Sequence, residues 1–382
     1  MSTTNKLVCE VGKRQLIKHG EVTCGDSVEV VYTPDETFVV LSDGLGSGVK
    51  ANILSNLTVK IISKMVSHHI SLQDIVETII GTLPVCSVRG LAYSTFTLLR
   101  IKPDGKVDIV DFDGLPPITV SKGFVDVVER TSEEVLGRKI NKAQIQLKED
   151  DYLLITSDGV TEAGLGLTLS FGLQTAGLVK ALKEHVKDNH SAQDLVDQVI
   201  DICMSYYINE PGDDTTAVAI HMRQPREAAL LTGLPVDKKD DAGMVQAFLQ
   251  CAGRKLICGG TTSQVFARET NKEVFTIDSS LTDEVPPISQ ISGIDLVTEG
   301  IITMDYCTRL LEEDRTENIP KNGASMLLEQ LLWADKITIF CGTQINEAYE
   351  QIKPGMRLRD TIIEKLTVQL QKRHKEVVVY YY

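Results

Sequence analysis

The first part of the chain is written in strand-length apolar runs broken by turn residues. SVEVVYTPDETFVVLSDG, residues 27–44, reads as two strands joined through a Pro-Asp turn, and STFTLLRIKPDGKVDIVDF repeats the plan around Pro103-Asp104-Gly105. Hairpins of this kind imply antiparallel pairing. DDYLLITSDG and TTAVAIHM add two short strand-like runs, each with an acidic pair beside it.

Between these runs the period changes from two to three or four. In KANILSNLTVKIISKMV the residues Leu54, Leu57, Ile61 and Met65 recur at helical spacing and are expected to form one buried face. SAQDLVDQVIDICMSYY opens on an S-x-x-D start signal, Ser191 and Asp194, and carries Leu195, Val199, Cys203 and Tyr206 as its stripe. SLQDIVETII, from Ser71, begins in the same way. Hairpins interspersed with amphipathic helices predict sheets covered by helices on their outer faces.

Near residue 225 the texture shifts. RQPREAALLTG, Arg223 to Gly233, lacks a clear period and is expected to be a linker dividing residues 1–224 from 225–382. Beyond it KLICGGTTSQVFARE, IDLVTEGIITMDYCTRLLEE and KITIFCGTQINEAYE each run from a short strand through a polar turn toward a helix, the pattern of a small α/β domain. A length of 382 residues accommodates two domains.

Composition narrows the chemistry. With 42% hydrophobic and 24% charged residues the chain is ordinary globular material, and its net charge of −14 repels polyanions, so neither nucleic acid nor a membrane is an expected partner. Acidic residues can nevertheless gather around cations. The eight cysteines (Cys9, Cys24, Cys86, Cys203, Cys251, Cys258, Cys307 and Cys341) form no CxxC and no Cys/His grouping, which argues against zinc and for buried free thiols in a reducing compartment. The start has no apolar signal-like region and no stretch approaches the roughly 18 apolar residues of a membrane span, so a cytoplasmic location is expected.

The candidate chemistry lies in carboxylates at strand ends. Asp26 (CGDSVEV), Asp43 (LSDGLGSG), Asp158 (TSDGVTEAG) and Asp213-Asp214 (GDDTTAV) each sit by glycine. An isolated Asp-Gly is usually a turn former. Asp43 and Asp158, however, share near-duplicate contexts, an apolar strand and then Ser-Asp-Gly, which would set two carboxylates at corresponding strand ends. Converging carboxylates raise one another's pKa, and hard divalent cations such as Mg²⁺ or Mn²⁺ compensate them. Two ions sharing one carboxylate lie about 3.5–4 Å apart, an arrangement suited to phosphoester hydrolysis.

In order, G-D near the first strand, D-G-x-G-x-G before a long helix, the S-T strand in YSTFTLL, S-D-G after an apolar strand and G-D-D-x-T before the last strand resemble the metal-dependent protein phosphatase family. The likeness covers roughly residues 15–222 and is closest to the bacterial branch typified by stage II sporulation protein E; DFDGLPPITV resembles that branch's G-x-P-P segment. The resemblance implies an α+β fold, an α-β-β-α sandwich of two antiparallel sheets flanked by helices, followed here by the smaller α/β domain. It also implies two divalent ions, Mn²⁺ or Mg²⁺. Asp43 would bridge them, Gly44 would offer its carbonyl, Asp26 would serve one ion partly through water, and Asp158 and Asp213 would hold the other. Asp214 would stand behind these ligands, with direct contact left open. A hydroxide generated between the metals would attack phosphorus, with Asp43, Asp158 and Asp213 as catalytic residues and no covalent intermediate. The absence of Cys-x5-Arg and G-x-S-x-G motifs agrees with this. Where eukaryotic relatives place an arginine near the first acidic motif, this chain offers Lys13 and Arg14.

The implied activity is a serine/threonine phosphoprotein phosphatase acting on a small regulatory protein, controlled or localised by the C-terminal domain. The alternatives are a catalytically weak phosphatase-fold sensor responding to a small ligand through that domain, and hydrolysis of a small phosphoester. CGGTTS (258–263) reads either as an anion cradle or as a tight turn with Thr as N-cap, with TEG (298–300) and CGT (341–343) as companions at the same sheet edge. A homodimer is also allowed. TEAGLGLTLSFGL (161–173) reads as a mobile flap or as a plain loop. His68-His69 read as a helix end, His185 and His190 as surface, and Trp333 as core.

Overall fold

The computed structural model describes residues 6–82, 94–185, 191–277, 288–315, 319–344 and 358–382. The chain divides into two compact units, Met1–Gln224 and Pro225–Tyr382. Cys86, His190 and the helix expected after KITIFCGT lie outside the described residues.

The first unit holds two antiparallel sheets. One has the order β2 (Asp26–Tyr32), β3 (Thr37–Asp43), β4 (Phe96–Ile101), β5 (Lys106–Phe112), β9 (Arg138–Gln146) and β8 (Thr131–Val135). The other runs β1 (Val8–Leu16), β11 (Thr215–Arg223), β10 (Tyr152–Thr156), β6 (Ile118–Ser121) and β7 (Phe124–Val127). Both expected hairpins form, and the turn at Pro103-Asp104-Gly105 uses Gly105 at φ +86°.

Side-chain alternation sorts these strands into layers. Val39 and Leu41 of β3 join Leu99 and Ile109 in one core with Leu153, Ile155, Val218 and Ile220 of the other sheet, so the sheets pack face to face. The alternate residues Phe38, Val40, Leu98 and Val110 face the helices α1 (Gly48–Ser67) and α2 (Leu72–Thr82) through Val59, Ile62, Val66, Ile75 and Ile79. On the far side Leu154, Ala217 and Ala219 meet Leu178 and Leu182 of α4 (Gln174–His185) and Leu195, Val199 and Cys203 of α5 (Ala192–Tyr207). The result is a four-layer α-β-β-α sandwich. Each fully buried Leu, Val, Ile or Phe in these layers contributes about 1.5–3 kcal/mol.

Two helical faces differ from expectation. On α1 the buried residues are Ala51, Ser55, Thr58, Val59, Ile62, Ser63 and Val66, whereas Leu57 is 51% exposed and Leu54, Ile61 and Met65 are half-buried. The first half of the helix approaches the sheet closely enough to favour small residues there, with the Ser55 and Ser27 hydroxyls meeting at 2.7 Å, while Val59, Ile62 and Val66 fill the wider second half. On α5 the stripe ends on Tyr207, not Tyr206, and Ser191 caps the helix by accepting from the Asp194 N–H at 3.1 Å.

The second unit is a seven-stranded sheet, β14 (Phe275–Ile277), β15 (Ile288–Gln290), β16 (Leu296–Thr298), β13 (Arg254–Cys258), β12 (Glu227–Thr232), β17 (Lys336–Cys341) and β18 (Glu376–Tyr381). From β16 to β18 the pairing is parallel. Helices α6 (Asp241–Gln250) and α7 (Gly260–Thr270) cover one face; α8 (Ile301–Glu312), α9 (Gly323–Trp333) and α10 (Leu358–Lys372) cover the other. The expected linker is therefore corrected: Glu227–Thr232 is a strand inside this sheet. Ala228 and Leu230 pack on one face and Ala229 and Leu231 on the other, and a strand buried on both faces shows no alternation. Trp333 is half-buried at the edge of its core, with the Arg254 guanidinium 3.6 Å from its ring centroid. Cys203, Cys258, Cys307 and Cys341 are buried free thiols, while Cys9, Cys24 and Cys251 are only half-buried. Among the described residues no helix is long and apolar enough to cross a membrane.

Candidate active site

The pairing of β2 with β3 sets Asp26 directly opposite Asp43. Like charges opposed across an antiparallel pair are destabilising, and a hairpin needs neither. β10 ends at Thr156, where Ser157 leads into the one-turn helix α3 (Asp158–Glu162); its antiparallel neighbour β11 begins just after Asp213-Asp214. The end of one strand and the start of the next share an edge, which brings Asp158, Asp213 and Asp214 together.

Glycines permit the close approaches. A Cβ on Gly44 would overlap the Ala51 carbonyl oxygen at the start of α1, and one on Gly159 would overlap the Asp214 carbonyl oxygen. Gly46 and Gly48, at φ +101° and +69°, turn the chain into α1. The Ser47 hydroxyl there donates to Glu21 Oε1 at 2.9 Å.

Asp43, Gly44, Asp158, Asp213 and Asp214 line one cavity of about 490 Å³. Asp26, 3% exposed, is buried beside Asp43 and is held by the Thr216 hydroxyl, which donates to its Oδ2 at 2.6 Å, while Gln15 Nε2 donates to both Thr216 Oγ1 and the Asp26 carbonyl. Asp213 and Asp43 are half-buried and Asp158 is exposed, so the carboxylates grade from interior to rim.

Their titration records the crowding. Burial, with the Asp214 and Asp158 charges added and the Thr216 bond opposing, pushes Asp26 up to about 7. Burial and then the neighbouring Asp26 and Asp158 carboxylates push Asp43 up to about 10, and it shares a hydrogen bond with Asp158 as the protonated partner. Asp158, though exposed as a residue, is itself raised by the partial desolvation of its carboxyl within the cavity and then by Asp213; Glu162 is raised by burial and then by Asp158 and Asp213. Among the described residues, the buried Asp26 Oδ1 and Asp214 Oδ2 have no hydrogen-bond partner. Leaving such oxygens unpaired costs about 1–3 kcal/mol each, more when charged. Among the described residues no three His, Cys, Asp or Glu side chains are already arranged as a metal cage. Instead the Asp43 and Asp158 carboxyls lie side by side, and Asp213 is ion-paired with Lys18. An all-oxygen donor set with crowded charges and orphaned buried oxygens fits hard divalent cations.

The structure thus gathers every acid singled out in the sequence. It moves the basic residues. Arg14 pairs with Asp197 at 3.2 Å and Asp201 at 3.5 Å on α5, and the Lys13 backbone N–H donates to Gln193, so neither lines the cavity. Lys18 does, with Nζ 3.2 Å from Asp213 Oδ1 and its backbone N–H 3.0 Å from Asp214 Oδ1. Asp113, at φ +54°, also lines the cavity from the DFDG turn. Sequence patterning missed both. Lys18 could have been found only from the β1–β11 register, in which Leu16 faces Thr215 and continuation sets Lys18 against Asp213.

Residues 161–173 form a compact turn in which the Gly164 carbonyl accepts from the N–H groups of Leu167, Thr168 and Leu169, and which exposes Leu165, Leu167 and Phe171. His68 is the C-cap of α1. In the second unit Cys258, Thr298 and Cys341 do reach one sheet edge in register with Thr232. The N-cap of α7 is Gly259, not a threonine, and Glu299 Oε1 lies 2.9 Å from where a Cβ on Gly260 would be. A carboxylate already sits where CGGTTS suggests an anion.

Comparison with known proteins follows the same division of the chain. A family model described as Stage II sporulation protein E matches residues 33–223. Stage II sporulation protein E of Bacillus subtilis (strain 168) is 24% identical over 227 residues, 58% of this chain and 26% of its own length, so the chain spans about a quarter of that curated relative. The solved PP2C phosphatase domain of the same Bacillus subtilis protein, with a fragment of its regulatory domain, aligns with a TM-score of 0.51 at 20% identity, covering 57% of this chain and 64% of that one. A second crystal form of that phosphatase domain, without domain swapping, aligns with a TM-score of 0.45 at 21% identity over 58% of this chain and 94% of its own. At such identity the structural likeness speaks for the fold alone.

Proposed function

The chain belongs to the stage II sporulation protein E family of metal-dependent protein phosphatases, and from that premise we propose that the cavity at Asp43 hydrolyses the phosphoserine or phosphothreonine of a regulatory protein, with two divalent cations, Mn²⁺ or Mg²⁺, as cofactor. The observation that carries the reading is the pair of orphaned buried oxygens, Asp26 Oδ1 and Asp214 Oδ2, within a set of crowded carboxylates. A binding module has little reason to keep such costly groups together.

Asp43 would be the shared ligand, with Asp26 and the Gly44 carbonyl on one side and Asp158 and Asp213 on the other; Asp214 would close the set. Bound there, divalent cations supply an activated water at neutral pH and screen the phosphoryl charge, so that hydrolysis proceeds without a covalent phosphoenzyme. The rest falls to the chain. Thr216 and Gln15 orient Asp26, the Gly44 contact with Ala51 fixes the Asp43 loop against α1, and the exposed rim at Asp158 admits a side chain from a folded partner.

The test is turnover of p-nitrophenyl phosphate and of a phosphoserine peptide with Mn²⁺, Mg²⁺ or EDTA. Wild type should need the metal, and Asp43→Ala and Asp158→Ala should each lose about 100-fold or more. Turnover of the small ester alone would point to a small phosphoester as substrate. A protein that neither binds metal nor turns over, yet is stabilised by a small ligand, would be a sensor.

A further inference from the structure

We propose that Lys18 is the residue that binds the phosphoryl oxygens of the substrate, an inference that rests on the phosphatase reading of the cavity. Among the described residues lining the cavity it is the one cationic side chain, set against five aspartates, Asp43, Asp113, Asp158, Asp213 and Asp214. With Asp26 counted beside those five, two divalent cations would leave two of six negative charges uncompensated. Lys18 supplies a positive charge against that excess, which would otherwise oppose a phosphate dianion more strongly.

The local structure holds this lysine in place without using it up. Its backbone N–H donates to Asp214 Oδ1 at 3.0 Å and the next N–H, of His19, donates to the Pro211 carbonyl at 2.8 Å, so the loop after β1 is tied to the segment that carries Asp213 and Asp214. The ammonium, 3.2 Å from Asp213 Oδ1, has three N–H donors, of which that ion pair needs one. The side chain is 36% exposed, so its four-carbon stem can swing between Asp213 and an arriving phosphate. Asp213 would hold a divalent cation with the same carboxylate that pairs with Lys18, and its grip on the ammonium would then be weaker. Metal binding and phosphate binding are thereby linked through one residue.

The experiment compares wild type, Lys18→Met and Lys18→Arg over a Mn²⁺ titration and at saturating Mn²⁺. It reads KM and kcat for p-nitrophenyl phosphate and, independently of turnover, the affinity for inorganic phosphate by calorimetry. A lost charge-assisted hydrogen bond should weaken phosphate binding about 10-fold to 100-fold in Lys18→Met, chiefly through KM, with Lys18→Arg recovering most of it. Unchanged phosphate affinity in a folded Lys18→Met would overturn the proposal. So would a variant that changes only the Mn²⁺ concentration needed for activity, since Lys18 would then serve Asp213 alone. If wild type itself neither turns over nor binds phosphate, the phosphatase reading falls and takes this role with it; normal wild-type behaviour with an indifferent Lys18→Met removes the Lys18 role and leaves the enzyme standing.

Discussion

At the scale of single residues, the site is a set of groups whose charge the fold does not by itself accommodate. Asp26 and Asp43 titrate near 7 and 10, against an ordinary value of 3.8, chiefly because both are buried. When the folded pKa of a carboxyl lies above its unfolded one, the group costs nothing below the unfolded value, where both states are protonated. The cost then grows as pH rises from about 4 toward the folded value, because the unfolded chain ionises first. The cation-free protein is therefore expected to lose stability between about pH 4 and pH 8. Asp43→Asn keeps the shape and removes the charge, so in EDTA it should be more stable than wild type at pH 8, by about 1–3 kcal/mol, and equal to it near pH 4. Mn²⁺ should reverse the ranking at pH 8, since it stabilises the ionised set that asparagine lacks. Thermal unfolding at the two pH values, with and without metal, reads all four states; identical curves for both proteins at pH 8 in EDTA would mean that Asp43 bears no such cost.

At the scale of elements, α1 shows which patterns sequence can and cannot deliver. Its helical period is plain, yet the phase taken from Leu54, Leu57, Ile61 and Met65 differs from the buried face, because the apolar residues spread around the helix and, in its first half, close approach to the sheet selects Ala51, Ser55 and Thr58. Two substitutions separate the phases: Ile62→Ala, at a fully buried position, should cost about 2–5 kcal/mol, while Leu57→Ala, half exposed, should stay within about 0.5 kcal/mol. Urea unfolding measures both, and a costly Leu57→Ala would restore the phase taken from spacing. Elsewhere legibility follows the range of the physics. The β2–β3 and β4–β5 hairpins were visible because turn chemistry is local, and Asp26, Asp43, Asp158 and Asp213 because each sits at a strand end with glycine beside it. β12 was hidden because burial on both faces erases alternation. Lys18 was hidden because its partner Asp213 lies 195 residues away and only strand register brings them together.

At the scale of the whole molecule, the described hydrophobic cores divide cleanly. Three are built only from residues before Gln224, where they glue sheet to sheet and each sheet to its helices, and two only from residues after it. A unit that encloses its own core can fold by itself. We therefore expect residues 1–224, produced alone, to fold and to hydrolyse p-nitrophenyl phosphate with Mn²⁺, and the full chain to unfold in two calorimetric transitions. Mn²⁺ should raise only the transition that residues 1–224 show alone, because a ligand stabilises only the unit that binds it. Asn322→Ala should lower only the other. Asn322 Oδ1 accepts from the Ala324 and Ser325 N–H groups at 3.0 Å each and closes a capping box on α9, so its loss should cost about 1 kcal/mol in that unit. If Mn²⁺ and Asn322→Ala instead move one common transition, the units unfold together, and residues 225–382 would act as part of the enzyme's structural support. Two independent transitions would leave them free to serve as an attached controller, whose effect then appears as the difference in metal-dependent turnover between the full chain and residues 1–224.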